Sequence, residues 1–292
     1  MPAGDTIDVR ASLIEAARLL SASGIEDAGL DARRLLAAAL KCAPLDLITA
    51  PERILSGESY TAFQAMLRRR AQGEPLARIL GVRDFYGRSF RLTPATLEPR
   101  PDSECLIDTA LALVRGAPKQ ARPLRILDIG TGSGCLLLTL LAELPGTFGV
   151  GTDISQAALD AAADNARHLG LSDRVDWRHG ACCAGAEGPF DIIVSNPPYI
   201  RSGAIAALDT AVRSYDPHSA LDGGPDGLAV YRAILDDIQG FTSNYSLVFE
   251  IGFDQADEVV ALIKTKYLPP QTISVVHDMA GRPRCVALST QT

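Results

Sequence analysis

No stretch of this sequence stays apolar long enough to cross a bilayer; the longest candidates, such as residues 135–142, are far too short. What precedes the first helix is acidic and polar, so the opening residues do not resemble a secretory signal. Positive charge is in short supply: 28 Lys and Arg stand against 35 Asp and Glu, for a net charge of −7. Nucleic-acid binding draws on clustered Lys and Arg, so direct binding of DNA or RNA is not expected. Metal-ligand spacing is absent as well. His168, His179, His218 and His277 stand singly, and Cys42, Cys105, Cys135, Cys182, Cys183 and Cys285 form no CxxC pair. The cysteines read as small buried thiols of a protein in the reducing cytoplasm. No internal repeat or low-complexity tract is visible.

What is present is the makeup of a soluble globular protein, 47% hydrophobic and 22% charged over 292 residues, a length that suggests about two domains. The N-terminal part predicts a small helical bundle. Residues 9–20 set Val9, Leu13, Ala16, Ala17 and Leu20 on one face before Gly24; residues 30–40 repeat the pattern; residues 59–70 add Phe63, Met66 and Leu67 and stop at Gly73. The run Arg68-Arg69-Arg70 reads as a solvated helix face. Residues 79–82 and 89–92 then predict two short strands around Asp84-Phe85-Tyr86-Gly87, a hairpin. Three prolines, Pro94, Pro99 and Pro101, make residues 93–102 a stiff extended connector. This division gives a helical domain over residues 1–73, a hairpin and proline-rich linker over 74–104, and a third part over 105–292.

Strands and helices alternate in that third part. Helices are predicted over residues 106–114, 135–144, 155–169 (capped by Ser155), 228–238 and 255–265. Strands are predicted over 124–129, 147–152, 175–178, 190–195 and 247–251, with a closing hairpin of 272–276 and 284–288. Strands alternating with helices of this length imply a mostly parallel sheet covered on both faces.

Asp128-Ile129-Gly130-Thr131-Gly132-Ser133-Gly134 follows the first of these strands and opens a helix, where ligands of such sheets sit. Two details select the ligand. The spacing is GxGxG rather than the GxGxxG that packs a pyrophosphate on a helix N-terminus. Asp128 at the mouth of the loop would repel a pyrophosphate and welcome a ligand carrying an ammonium and a sulfonium. Asp153 ends the next strand, placed either to accept hydrogen bonds from ribose hydroxyls or to cap the helix that begins after Ser155. S-adenosylmethionine is therefore expected rather than NAD.

Residues 190–195 form an apolar strand that delivers Asn196-Pro197-Pro198-Tyr199. Two successive prolines hold Asn196 extended, with its side-chain oxygen and the Pro197 carbonyl as acceptors. A planar NH2 group needs two acceptors, and this motif offers two on a rigid mount. The Tyr199 ring offers a face on which a flat amide or base could stack.

Here the sequence resembles the HemK-type (PrmC) methyltransferases, which modify the glutamine of the Gly-Gly-Gln motif in peptide chain release factors. The likeness runs over nearly the whole chain: Gly73-Glu74-Pro75-Leu76, Glu98-Pro99-Arg100-Pro101-Asp102, the glycine loop, Asn196–Tyr199, Ala220-Leu221-Asp222-Gly223-Gly224, Glu250-Ile251-Gly252 and Asp278-Met279-Ala280-Gly281-Arg282. It implies an α/β fold with a Rossmann-like, seven-stranded, mostly parallel sheet of the class I methyltransferase kind, preceded by a helical bundle and a hairpin linker. It implies that Asp128, Gly130, Thr131, Gly132, Ser133, Gly134, Asp153 and Asn196 hold S-adenosylmethionine. Asn196, Pro197, Pro198 and Tyr199 would bind the substrate glutamine and form the catalytic motif, with Arg100 as a further substrate contact. The implied partner is a release factor. One departure is visible: Gly180-Ala181-Cys182-Cys183 stands where the family often carries an Asp-Trp pair near the adenine. Backbone groups or Cys182 would line that side.

An amide nitrogen is a poor nucleophile, so alignment and desolvation are the expected contributions of the protein, with Asn196 and Pro197 polarising the N–H bonds. No strong general base stands out, and His218 reads as a loop-packing residue. Three alternatives compete: an adenine methyltransferase, opposed by the acidity; a non-catalytic cofactor-binding regulator, opposed by the intact motifs; and a dehydrogenase, opposed by the glycine spacing.

Overall fold

The computed structural model describes residues 7–116, 122–241, 245–267 and 272–289. Most of the chain's opening, on which the reading against a secretory signal rests, lies outside them. The chain divides into two compact units, Met1–Gly81 with Thr210–Tyr215, and Val82–Asp209 with Asp216–Thr292.

The first unit is helical: α1 (Val9–Ala22), α2 (Ala28–Leu40), α3 (Asp46–Thr49), α4 (Gly57–Ala71) and α5 (Leu76–Leu80). Side-chain caps start two of them, Asp8 accepting from the Ala11 amide at 2.7 Å and Ser56 from the Ser59 amide at 3.2 Å. The expected apolar faces meet in one core around Leu20, Leu35, Leu36, Phe63 and Leu67. Two expectations change here. Arg68-Arg69-Arg70 is not simply a solvated face, since Arg70 donates to the buried Asp31 at 2.6 Å and Arg69 pairs with Glu74. The strand expected over residues 79–82 starts late, because the short helix α5 occupies the first half of that stretch. Pro75 opens that helix and Gly81, at φ 68°, closes it in the left-handed region that favours glycine, so extended backbone begins only at Val82.

The second unit opens with the hairpin of β1 (Val82–Phe85) and β2 (Arg88–Arg91), then α6 (Glu104–Gly116). There follow β3 (Arg125–Ile129), α7 (Cys135–Glu143), β4 (Phe148–Asp153), α8 (Gln156–His168), β5 (Val175–His179) and β6 (Ile192–Ser195). After α9 (Thr210–Tyr215), which groups with the first unit, come α10 (Ala229–Ile238), β7 (Ser246–Glu250), α11 (Ala256–Lys266), β8 (Thr272–His277) and β9 (Pro283–Ser289). Seven strands form one sheet in the order β5-β4-β3-β6-β7-β9-β8, parallel except for β9, which is antiparallel to both its neighbours. The Rossmann-like, mostly parallel sheet is therefore as expected.

Alternation along the strands makes two cores. In β6, Ile192 and Val194 join a layer with Leu106, Leu137 and Leu141, while Ile193 joins Tyr231, Leu235 and Ile263 on the other face. Both faces being covered explains why these strands read as continuous apolar runs. The chain works outward from β3 to β5, then returns to the other side of β3 as β6. That reversal opens a crevice at the carboxyl ends of β3 and β6, where the two sequence motifs emerge.

Candidate active site

A cavity of about 630 Å³ lies at this crevice, within the size range of small-molecule sites. Gly130–Ser133, Asp153, Asn196–Pro198 and Arg100 lie on its wall, together with Gly180, Ala181 and Cys182.

The glycine loop is built from backbone. The amides of Gly130 and Thr131 both donate to the Thr152 carbonyl at 2.9 Å, tying β3's end to β4's. Gly130, Gly132 and Gly134 have φ of 72°, 57° and 78°. At Gly130 and Gly132 a Cβ would meet nothing within 4 Å. Glycine is needed there for its backbone conformation rather than for space. Asn165 of α8, fully buried, braces the loop from behind, donating to the carbonyls of Ser133 at 2.9 Å and Arg91 at 3.1 Å and accepting from the Arg91 amide at 2.8 Å. Nothing in the sequence singled out Asn165; its only sign was a polar residue among the apolar positions of α8.

Asp128 is fully buried beneath the loop and is not on the cavity wall. Its Oδ2 accepts from the Thr131 hydroxyl at 2.6 Å, while Oδ1 has no partner among the described residues. Burial pushes its pKa up to about 7, partly opposed by the Thr131 hydroxyl and the Leu137 amide of α7's first turn. The sequence reading put this acid at the mouth of the loop; the buried strand β3 instead points it inward. Asp153 does reach the cavity. Each of its oxygens already accepts one amide, Oδ2 from Gly132 and Oδ1 from Ser155, at 2.9 and 2.8 Å. The cap of α8 itself is Ser155, whose hydroxyl accepts from the Ala158 amide at 3.2 Å, so Asp153 does not take the helix-capping role weighed for it. A carboxylate has about four acceptor positions, so lone pairs remain for a ligand.

At β6's end, Ser195 donates to the Ile129 carbonyl at 2.7 Å, locking the two strand ends together. Asn196 is half-buried and turns its Nδ2 to the Ser103 hydroxyl at 3.3 Å. The following backbone is clasped from outside. Ile200 exchanges main-chain hydrogen bonds with Leu221 and Gly223, at 3.0 and 2.8 Å. Gln255, nearly fully buried, donates to the Tyr199 carbonyl at 3.0 Å and accepts from the Gly252 amide at 3.1 Å. A Cβ on Gly223 would lie 2.7 Å from the Pro198 carbonyl oxygen, and one on Gly227 2.5 Å from that of Tyr199. Only glycine lets the 223–227 turn lie this close. Behind Asn196, Glu250 ends β7 almost wholly buried, its pKa pushed up to about 7 by that burial.

Of the expected site residues, Gly130, Thr131, Gly132, Ser133, Asp153, Asn196, Pro197, Pro198 and Arg100 come together on the wall, while Asp128, Gly134 and Tyr199 do not. The Tyr199 ring packs against the core instead, and burial raises its pKa to about 12. Arg100 pairs with the carboxylate of Asp216. His218, expected to pack a loop, lies on the wall. Cys182 stands there too, where the family's Asp-Trp pair would be.

Comparison with known proteins agrees with this layout. The PrmC N-terminal domain matches residues 12–81 and the methyltransferase small domain residues 103–213. The release factor glutamine methyltransferase of Bradyrhizobium diazoefficiens is 46% identical over 93% of this chain and 91% of its own length. That of Agrobacterium fabrum is 42% identical over 97% and 98%. Among solved structures, the hMettl16 catalytic domain in complex with a MAT2A 3'UTR hairpin superposes with a TM-score of 0.56 at 17% identity, covering 82% of this chain and 86% of that one. A likeness at that identity speaks for the class I methyltransferase fold alone. With relatives this similar along nearly its entire length, and both domains matched, the chain belongs to the release factor glutamine methyltransferase family.

Proposed function

We propose that the protein transfers the methyl group of S-adenosylmethionine to the side-chain amide nitrogen (N5) of the glutamine in a release factor's Gly-Gly-Gln motif, in the cytoplasm. The observation that carries the reading is the orientation of Asn196: with Nδ2 on Ser103, its Oδ1 is the end left to accept from a substrate NH2. Pro197, next on the same cavity wall, offers its carbonyl as the second acceptor.

The residues fit the cofactor. Asp153 retains acceptor capacity on the wall, and Asp128 keeps an unpartnered buried oxygen under the loop. An acid on that wall suits a ligand with an ammonium and a sulfonium and opposes a pyrophosphate. Bound there, the sulfonium supplies a methyl that is already activated. The protein's own part is alignment: the clasp on residues 198–200 fixes the acceptor pair, and the acceptors stabilise the N–H bonds as positive charge develops on nitrogen. The helical unit is proposed to hold the parent fold of the release factor; an intact release factor should then show a lower KM than a short peptide bearing the same motif.

The test offers methyl-labelled cofactor to an intact release factor and to an adenine-containing oligonucleotide. Label is expected on the protein alone. Label on the oligonucleotide, with none on the release factor, would replace this reading with adenine methylation.

A further inference from the structure

Asn196 can perform its role only if its amide faces the right way, and the two ends of an amide are nearly the same shape. Something must choose between them. Ser195 of β6 is registered against Phe249 of β7, so Asn196 and Glu250 leave the sheet side by side. Glu250 is 1% exposed, and its Oε2 has no partner among the described residues. Ser103, also buried, receives the Asn196 Nδ2 hydrogen bond, and Ser103 and Asn196 both face the Glu250 carboxyl. An ionised carboxylate only accepts, so it attracts N–H and O–H groups and repels the amide oxygen. A buried charged oxygen without a full set of partners is costly to keep, and calls for a reason.

We propose that Glu250, together with Ser103, is the positioning residue that holds the Asn196 amide with its nitrogen inward and its oxygen presented to the substrate. The inference rests on the proposed acceptor role of Asn196. It extends to pH, because a protonated Glu250 becomes a donor and attracts the amide oxygen as readily as the nitrogen. Burial is the main cause that raises this carboxyl to about 7; Asp102, ahead of α6, adds to it, while Ser103, Arg284 of β9 and Asn196 oppose it. Arg284 shares its guanidinium with Asp102 at 2.9 Å and Asp278 at 3.4 Å, so its charge is already divided. The other titratable groups around Glu250 are Tyr199, Tyr231 of α10, Cys135 of α7 and Cys285 of β9; burial raises the first three, and the Cys105 contact together with burial raises Cys285, each from an ordinary value already above neutrality, so they stay uncharged through this range. Activity needs the carboxylate form; kcat therefore rises with pH through a limb near neutrality.

The experiment compares the full chain with its Glu250→Gln and Ser103→Ala variants on a release-factor substrate at saturating cofactor, recording kcat against pH. Cofactor Kd is read in parallel from the fluorescence of Trp177, which packs against Gly134 under the glycine loop. Glu250→Gln keeps the shape but can donate as well as accept, so kcat should fall roughly tenfold and the limb near neutrality should vanish, with cofactor Kd changed less than about threefold. Ser103→Ala should lower kcat less and keep the limb. Full kcat in Glu250→Gln, a limb that persists in it, or equal losses of kcat and cofactor affinity would overturn the proposal. Should Glu250→Gln fail to fold, unchanged kcat in Ser103→Ala overturns it alone. If Asn196→Ala itself keeps full turnover, the acceptor reading falls first; if Asn196→Ala is inactive and Glu250→Gln is normal, only this inference falls.

Discussion

The ends of β3 and β6 lie side by side in the sheet, yet they are made in different ways. The β3 end is a local object. Its shape comes from three glycines at positive φ within five residues and from two amides on the neighbouring Thr152 carbonyl. The β6 end is assembled from distant parts of the chain: Ser103 from before the sheet, Gly223 and Gly227 from the turn ahead of α10, Gln255 at the start of α11, and Glu250 at the end of β7. Cofactor binding needs close approach of backbone to a ligand, which glycines provide by themselves. Orienting a flat amide for attack needs a rigid acceptor pair, and rigidity comes from packing on several sides.

This contrast makes cofactor affinity and turnover separable. Asn196→Ala should have the largest effect, a fall in kcat of about 10²–10³, the scale for losing one preorganised polar group, with a smaller change in cofactor Kd. Gly227→Ala should follow. Its Cβ would press on the Tyr199 carbonyl at 2.5 Å and on Gln255 Nε2 at 2.6 Å, at a φ of 76° that disfavours alanine. Shifting the motif by a fraction of its tolerance should lower kcat by about 10²-fold while steady-state titration shows cofactor Kd nearly unchanged. If both parameters fall together, the two ends are not independent.

Asp153→Ala should act the other way round, weakening S-adenosylmethionine by roughly 1.5–3 kcal/mol in calorimetry while leaving kcat at saturation close to normal. Smallest is a stability effect at Asp128. Its folded pKa of about 7 lies above the ordinary 3.8. The protonated form therefore favours the fold, and that stabilisation is lost as pH rises from about 4 to about 7. Asp128→Asn should flatten this part of the Tm-against-pH curve and melt above the wild type, on the order of 5 °C, on its alkaline side. Parallel curves for the two proteins would show that Asp128 is not the titrating group.

The same contrast explains what the sequence could show. Strand-helix alternation, the closing β8–β9 hairpin and the Ser155 cap, which accepts from Ala158 at 3.2 Å, were all legible because each is a short-range pattern. So was the glycine loop. Asp128 was misplaced because a strand-end acid gives no local sign of which face it points to. Tyr199 was read as a stacking surface, but its ring joins the core around α10. Asn165, Gln255 and Glu250 acquire meaning only through partners from other elements, from neighbouring turns to stretches far away in the chain, and no periodicity in the sequence announces such contacts. The short helix α5 was hidden by a pattern of apolar residues that suits a strand equally well until Gly81 is seen to stop it.

The central claim is that the Asn196-Pro197 acceptor pair presents a glutamine side-chain amide to the methyl donor. Its most direct test is fragmentation mass spectrometry of a release factor after reaction with the full-length protein and labelled S-adenosylmethionine. The account predicts a single methyl, on the side-chain nitrogen of the Gly-Gly-Gln glutamine, that is lost when Asn196 is replaced by alanine. A methyl on any other residue or on the main chain, or one that persists undiminished in Asn196→Ala, would contradict it.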